Sequence, residues 1–192
     1  MGSNAVPLPP DQIPPHVLQI GGLFLLFGGS AWTLCYVLSI REAFRSKSYG
    51  MPLFALALNF GWEIILALYV HQPLFVRVIY TVWLIVDCGM VYAAVKFGKY
   101  EWGHAPLVAN HIGKIFGILA TGATLGFWCF AKWWIENDLG KREGVYYKGL
   151  PGPDTQQLGF WSGEVCLIFL SAGSLCQLVI RQHSGGVNYT IW

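Results

Sequence analysis

Five apolar stretches constrain the fold of this chain more than any other feature of its sequence. A bilayer core of about 30 Å needs roughly 20 consecutive apolar residues in a helix. Lipid offers the backbone no hydrogen-bond partner, so such stretches are expected to be helical. They lie at approximately residues 17–40, 51–70, 74–97, 112–135 and 158–180. The sequence therefore predicts an all-α, polytopic transmembrane helix bundle with five helices.

The composition agrees with a membrane protein. Only 11% of the residues are charged, whereas a soluble domain has about 25%. The Pro-rich segment 1–16 has no Lys or Arg, so it lacks the basic region of a cleavable signal peptide. We expect two parts: this segment, on the lumenal side, and a single transmembrane helical domain over residues 17–192, whose first helix is retained as an anchor.

The distribution of Lys and Arg predicts the orientation, because these residues gather in cytoplasmic loops. One set of alternating connections carries Arg41, Arg45, Lys47, Lys96, Lys99, Lys114 and Arg181. That side is expected to be cytoplasmic, and the N-terminus lumenal. The glycosylation sequon at Asn188 would then face the cytoplasm and be an accidental match. The net charge of +2 is spread over loops and indicates no nucleic-acid partner.

The glycines of the fourth apolar stretch and the five cysteines are both interpreted as packing residues. Gly113, Gly117, Gly122 and Gly126 form two GxxxG spacings, which are typical of closely approaching helices. The five cysteines contain no CxxC pair and all lie in apolar stretches. This spacing predicts neither a metal site nor a disulfide framework.

Three carboxylates lie within the apolar stretches, namely Glu63, Asp87 and Glu164. A charged residue at this depth costs roughly 2.5–3.5 kcal/mol on insertion scales and usually faces a cavity or a partner. Glu63 and Asp87 are central in their helices, whereas Glu164 is nearer a helix start and can reach the interface.

The surroundings of Glu63 favour acid chemistry. Asn59 lies four residues before Glu63, hence on the same helical face, where its amide can orient the acid. Apolar surroundings favour the neutral form of a carboxyl group, and a positioned carboxylic acid is a proton donor. Trp62, Trp83 and Tyr92 supply aromatic faces, which attract cations. Together these residues suit an acid that starts a carbocation reaction in an apolar pocket.

Other readings remain open from the residues alone. Glu63 can be a neutral, hydrogen-bonded packing residue, or it can belong to a proton or ion path in a membrane transporter. Asp87 can pair with a neighbouring helix. Glu164 can lie at the interface with no role in chemistry.

Four stretches carry a resemblance to a known family: "KSYGMPL", "NFGWEI", "EWGHAPLV" and "SLCQLVIRQHSGGVNYTIW". In their order and spacing they resemble the membrane-integral terpene cyclases of fungal meroterpenoid and indole-diterpene pathways. The likeness extends from residue 17 to residue 192. It implies a seven-helix bundle in the endoplasmic reticulum, whereas this chain has five apolar stretches and is expected to lack the last two helices.

The resemblance also implies a reaction. These enzymes cyclise a prenyl chain, usually one with a terminal epoxide, without a cofactor, metal ion or diphosphate ionisation. Their Asn-x-x-Trp-Glu motif falls on Asn59, Trp62 and Glu63, so Glu63 would protonate the epoxide. The substrate would come from an upstream prenyltransferase and an epoxidase. The family's second acid lies beyond Trp192, and Asp87 or Glu164 can replace it. The alternatives are a transporter or proton-path protein, and an inactive, truncated cyclase.

Overall fold

The computed structural model describes residues 13–140, 153–188 and 191, and all regular elements in these ranges are helices. The helices are α1 (Pro15–Ser46), α2 (Leu53–Ile64), α3 (Leu74–Glu101), α4 (Pro106–Glu136) and α5 (Thr155–Arg181). A π-helical turn, Ile65–Tyr69, extends α2. Helices α1, α3, α4 and α5 are long and apolar enough to cross a membrane. The prediction of an all-α membrane bundle is confirmed.

The second helix is shorter than the sequence suggested. Its α-helical part has 12 residues and its π-helical turn has 5, against a predicted stretch of residues 51–70. Pro52 precedes the first turn, and Val70 has an extended backbone that ends the helix. Proline lacks a backbone N–H and clashes with a preceding turn, so it limits where a helix can begin.

Prolines mark four of the five helix starts in the described chain. Pro15 and Pro106 occupy the first turn of α1 and α4, and Pro52 and Pro73 directly precede α2 and α3. A proline in the first turn costs no hydrogen bond, because the N–H there has no helical partner. The fifth helix begins differently: the carboxylate of Asp154 accepts hydrogen bonds from the backbone N–H groups of Gln156 and Gln157.

Helix α2 is the central element, since it packs against α3, α4 and α5, while α1 packs mainly on α3. Gly61 permits the close crossing of α2 and α4. A Cβ atom at this position would lie 2.7 Å from the backbone nitrogen of Thr124 and 3.0 Å from Cβ of Ala123. Only a residue without a side chain fits so near another backbone.

The GxxxG prediction for α4 is wrong at three of its four glycines. A Cβ atom at Gly117, Gly122 or Gly126 would meet no atom of the described residues within 4 Å, whereas one at Gly113 would contact Val95 at 3.4 Å. The reason is geometric: α4 approaches α2 through Ala123 and Thr124, opposite Gly61, and not through Gly117, Gly122 or Gly126.

A polar cluster closes one end of the bundle, where α1, α3 and α5 finish. Arg181 donates a hydrogen bond to the backbone oxygen of Tyr49 (2.8 Å) and lies 3.4 Å from a carboxylate oxygen of Glu101. Ser48 donates to the other oxygen of Glu101, and Trp102 donates to the Tyr49 hydroxyl (3.0 Å). These contacts join the α1–α2 connection to the ends of α3 and α5.

The outer faces of the helices are apolar. Phe24, Phe27, Leu74, Leu107 and Ile180 are each 73–81% exposed. Side chains of this size in such numbers would form a large apolar patch in water, which soluble monomers rarely expose. Facing lipid they are at no disadvantage, as expected for a membrane protein.

Candidate active site

Helix α2 presents Asn59 and Glu63 on one buried face. Glu63 has no exposed surface and Asn59 is 6% exposed. Because the two residues lie one helical turn apart, their side chains meet: Asn59 Nδ2 is 3.0 Å from Glu63 Oε1. This is the contact that the spacing predicted, although the catalytic and orienting roles of the two residues stay predictions.

Two further helices complete the cluster. Asn59 Nδ2 also lies 2.9 Å from Oδ2 of Asp87, on α3, and 2.8 Å from the hydroxyl of Tyr36, on α1. Asp87 has no exposed surface, and Tyr36 is 4% exposed. An amide nitrogen carries only two hydrogens, so the three oxygens share it. We call Tyr36, Asn59, Glu63 and Asp87 the acid cluster.

The acid cluster has too few hydrogen-bond donors for two ionised carboxylates. Glu63 Oε2 and Asp87 Oδ1 are buried and receive no hydrogen bond from any described residue. Within the described chain, the ion pairs of Lys, Arg and His involve Glu101 and Glu136, and none reaches the acid cluster. Two like charges held close together in a low-dielectric interior are strongly unfavourable. A proton on at least one carboxyl group supplies a donor and removes a charge, so the site is built to hold a proton.

Aromatic rings continue from the acid cluster in a row across α2 and α3. Trp62 and Tyr80 pack edge to face with centroids 5.3 Å apart, and Tyr80 and Trp83 do the same at 5.7 Å. The indole N–H of Trp62 donates to Ser162 (2.8 Å), and that of Trp83 donates to Thr33 (2.9 Å). Both ends of this aromatic row are therefore fixed by hydrogen bonds to other helices.

The remaining two predicted site residues lie apart from the acid cluster. Tyr92 is 56% exposed on the outer side of α3 and stacks on Phe44. Its hydroxyl accepts a hydrogen bond from Lys96 (3.3 Å). Glu164 is half-buried on α5, and no hydrogen bond or ion pair joins it to the acid cluster in the described chain.

Sequence reasoning missed Tyr36, Tyr80, Ser162 and Thr33. No spacing rule connects them to Glu63, because they belong to different helices. The one signal was general: a buried Asn and a buried acid need partners, and a Tyr, Ser or Thr in another apolar stretch can provide them. Across the described residues, no three His, Cys, Asp or Glu side chains form a group suited to a metal ion.

In a comparison with known protein families, residues 8–192 match the family described as Pyr4-like transmembrane terpene cyclases. The terpene cyclase ascF of Acremonium egyptiacum is 41% identical over 184 residues, 96% of this chain and 66% of that relative. The terpene cyclase penB of Penicillium crustosum is 34% identical over 187 residues, 95% of this chain and 69% of the relative.

A third relative, the Pyr4-family terpene cyclase mfmH of Annulohypoxylon moriforme, is 32% identical over 182 residues, or 95% of this chain. The chain spans 66–69% of the length of these three relatives. No solved structure matches the chain.

Proposed function

Because the chain belongs to the family of Pyr4-like transmembrane terpene cyclases, we propose that it takes part in acid-initiated cyclisation of a prenylated substrate in fungal secondary metabolism. The observation that carries this proposal is the acid cluster, in which two fully buried carboxyl groups share one amide donor. A site that must hold a proton, next to fixed aromatic rings, suits the start of a carbocation reaction.

Glu63 is the proposed proton donor. Its Oε1 accepts a hydrogen bond from Asn59, which leaves Oε2 without a donor and available to carry the proton. The carboxyl group transfers this proton to the oxygen of a terminal epoxide. One C–O bond of the epoxide then breaks with its electrons on oxygen, which leaves a hydroxyl group and a tertiary cation.

The cation reacts within the same substrate molecule. Successive double bonds attack it, each forming a C–C bond and moving the positive charge along the substrate. Loss of a proton from carbon ends the reaction. This proton replaces the one that Glu63 gave up, so the acid is restored and the product is an isomer of the substrate. Electron-rich faces of Trp62 and Trp83 can stabilise the travelling charge, and folding of the flexible chain before protonation lowers the entropic part of the barrier.

Asp87 is proposed as the second acid of the site. Its Oδ2 shares the Asn59 amide with Glu63, so the two carboxyl groups are coupled through one side chain. When Glu63 gives up its proton, a neutral Asp87 limits the buried charge to one. Glu164 and Tyr92 have no part in this mechanism, because neither contacts the acid cluster.

The substrate must displace neighbouring side chains to reach Glu63, since the carboxyl group has no exposed surface. An epoxidised prenyl chain on a polyketide-type core and one on an indole both fit the proposal. Such a substrate comes from a prenyltransferase and then an epoxidase. No cofactor enters the proposed steps.

We place the chain in the endoplasmic reticulum membrane with a lumenal N-terminus. The polar end of the bundle that contains Arg181 would then face the cytoplasm. In this orientation the sequon at Asn188 is not glycosylated. Treatment of the microsomal protein with an endoglycosidase should leave its electrophoretic mobility unchanged, and a faster-migrating product would reverse the orientation.

The experiment compares the chain and two variants in yeast microsomes fed with prenylated epoxides of both substrate classes. Glu63→Gln keeps the size of the side chain and removes the acid, so we expect no isomeric product by liquid chromatography and mass spectrometry. Asp87→Asn should lower the yield of the isomer. Glu136→Gln, at an exposed acid on α4, is the matched control and should cyclise like the parent chain.

Normal cyclisation by Glu63→Gln would refute the role of Glu63. An inserted parent chain that gives no isomer with either substrate would refute the proposed activity of this chain. A flux of protons through the parent chain in proteoliposomes, absent from Glu63→Gln, would instead support a proton path.

A further inference from the structure

A groove separate from the acid cluster lies between α2, α4 and α5 and has a volume of about 450 Å³. Small-molecule sites usually fall between about 300 and 1,000 Å³. Its walls include Phe54 of α2, Gly122, Gly126 and Phe127 of α4, and Trp161 and Ser162 of α5. The groove is thus large enough for a flexible hydrocarbon chain.

The chemistry of the groove selects an uncharged occupant. None of the described residues that line it is charged, and Ser162 is the polar side chain among them. The Ser162 hydroxyl is already engaged: it accepts from the Trp62 indole at 2.8 Å and donates to the backbone oxygen of Leu158 at 2.6 Å. A charged headgroup or a peptide would find no free polar partner here.

Two glycines of α4 keep the groove open. A Cβ atom at Gly122 or Gly126 would have no neighbour within 4 Å among the described residues, so neither glycine is required for contact with another described helix. Larger side chains at the same positions would project into the groove. Its aromatic walls, Phe54, Phe127 and Trp161, offer faces and edges that suit the double bonds of an unsaturated chain.

The groove borders the elements that carry the acid cluster. Ser162 lines the groove and holds Trp62, which directly precedes Glu63. Phe54 of α2 and Val165 of α5 also line the groove. The groove is therefore joined to the helix that carries Glu63 through the Trp62–Ser162 hydrogen bond between α2 and α5.

We propose that this groove binds the prenyl chain of the substrate, with Gly122 and Gly126 setting the chain length that fits. This inference rests on the proposed function, because the occupant is the substrate of that reaction. Ser162 lines the groove and accepts a hydrogen bond from Trp62, the residue directly before Glu63, so movement of Trp62 is the step that would admit the reactive end to Glu63.

Photolabelling tests the proposal without requiring turnover. A prenylated phenol with a diazirine on its prenyl chain is irradiated with microsomes containing the parent chain or Glu63→Gln. We expect labelled peptides from residues 118–130 and 161–165 in both proteins. Excess unlabelled prenylated phenol should abolish this labelling, and a saturated fatty acid of equal length should not.

Two substitutions locate the site. Gly122→Leu and Gly126→Leu should each reduce labelling about tenfold, the effect of a few misplaced carbon atoms in an apolar pocket. Gly117→Leu, on the same helix but outside the groove, is the matched control and should label like the parent chain. Labelling is compared between membranes that contain equal amounts of each variant, and only variants that melt at the same temperature as the parent chain are used.

Labelling confined to other segments, or unchanged in both leucine variants, would overturn the proposal. Equal competition by the saturated fatty acid would identify a lipid groove and overturn it as well. The two proposals can fail separately: groove labelling without any isomeric product contradicts the cyclase activity alone, and product formation without groove labelling contradicts the groove alone.

Discussion

Gly61 offers a direct test of how α2 is held in the bundle. In Gly61→Ala the new Cβ would lie 2.7 Å from the Thr124 nitrogen and 3.0 Å from Cβ of Ala123. Carbon atoms prefer separations of about 3.5–4.0 Å, and backbone atoms cannot rotate away. Helices α2 and α4 must therefore move apart by roughly 0.5–1 Å.

The expected loss of stability in Gly61→Ala follows from a comparison with a second variant, Gly117→Ala. Gly117→Ala places its Cβ where no atom of the described part of the chain lies within 4 Å. Both variants gain the same helix propensity, up to about 1 kcal/mol, so this gain cancels when they are compared. What remains is overpacking at Gly61, typically about 1–3 kcal/mol. For a domain of this size, 1 kcal/mol shifts the melting temperature by about 2–4 °C.

The assay is thermal unfolding in detergent, followed by size-exclusion chromatography. We expect Gly61→Ala to melt below Gly117→Ala by about 2–12 °C. The same displacement shifts Asn59 and Glu63 relative to Asp87, so the proposed cyclase activity should fall in Gly61→Ala. Equal melting temperatures for the two variants would show that the close α2–α4 crossing is not as described.

Three further predictions concern contacts between the helices. Arg181→Met removes the guanidinium from the partly buried Glu101 carboxylate, which keeps its hydrogen bond from Ser48. The loss should destabilise the protein by about 1–3 kcal/mol, and adding Glu101→Gln should recover part of this in a double-mutant cycle. Ser162→Ala leaves the Trp62 indole N–H without its acceptor, so we expect a loss of about 1–3 kcal/mol and a weaker near-ultraviolet circular dichroism signal. Asp154→Ala removes the cap of α5 and should cost about 1 kcal/mol in thermal unfolding, whereas Asp154→Asn should restore most of it.

Contrary outcomes are equally specific. An unchanged melting temperature in the arginine variant would mean that the polar cluster contributes nothing to stability. An unaltered dichroism signal in Ser162→Ala would mean that the indole is held by packing alone. A capping variant with Asn that melts like the Ala variant would point to charge rather than hydrogen bonding at the start of α5.

The sequence predicted the local half of the candidate site. Asn59 and Glu63 share a helix, and the helical repeat alone requires that their side chains meet. Asp87 was recognised as a buried acid, because its position in an apolar stretch is visible without a fold. The contact of Asp87 with the Asn59 amide was not predicted, because 28 residues separate Asp87 from Asn59 in the chain and no periodic pattern extends across a turn.

The prediction from glycine spacing failed for a related reason. The GxxxG spacing in α4 shows that one face of the helix carries small side chains, but it does not show which surface lies opposite that face. The close crossing uses Gly61, an isolated glycine on α2 with no GxxxG partner. Two of the α4 glycines, Gly122 and Gly126, instead border the groove. Spacing within one helix describes a surface, and only its neighbour decides whether that surface is filled.

By itself the sequence determined the class of protein and the approximate positions of its helices, although α2 is shorter and α4 begins earlier than the apolar runs predicted. The class and the approximate positions depend on hydrophobic runs of bilayer length, while prolines, which act within one turn, mark where four of the described helices begin. Only the tertiary structure decided which residues meet: Tyr36 and Asp87 at Asn59, and Trp62 at Ser162, 100 residues away. Such contacts depend on how each helix is rotated about its axis against its neighbours. In lipid, hydrophobicity does not set this rotation, because the surroundings are as apolar as the helix surfaces. The fit of individual side chains and the hydrogen bonds between helices set it instead.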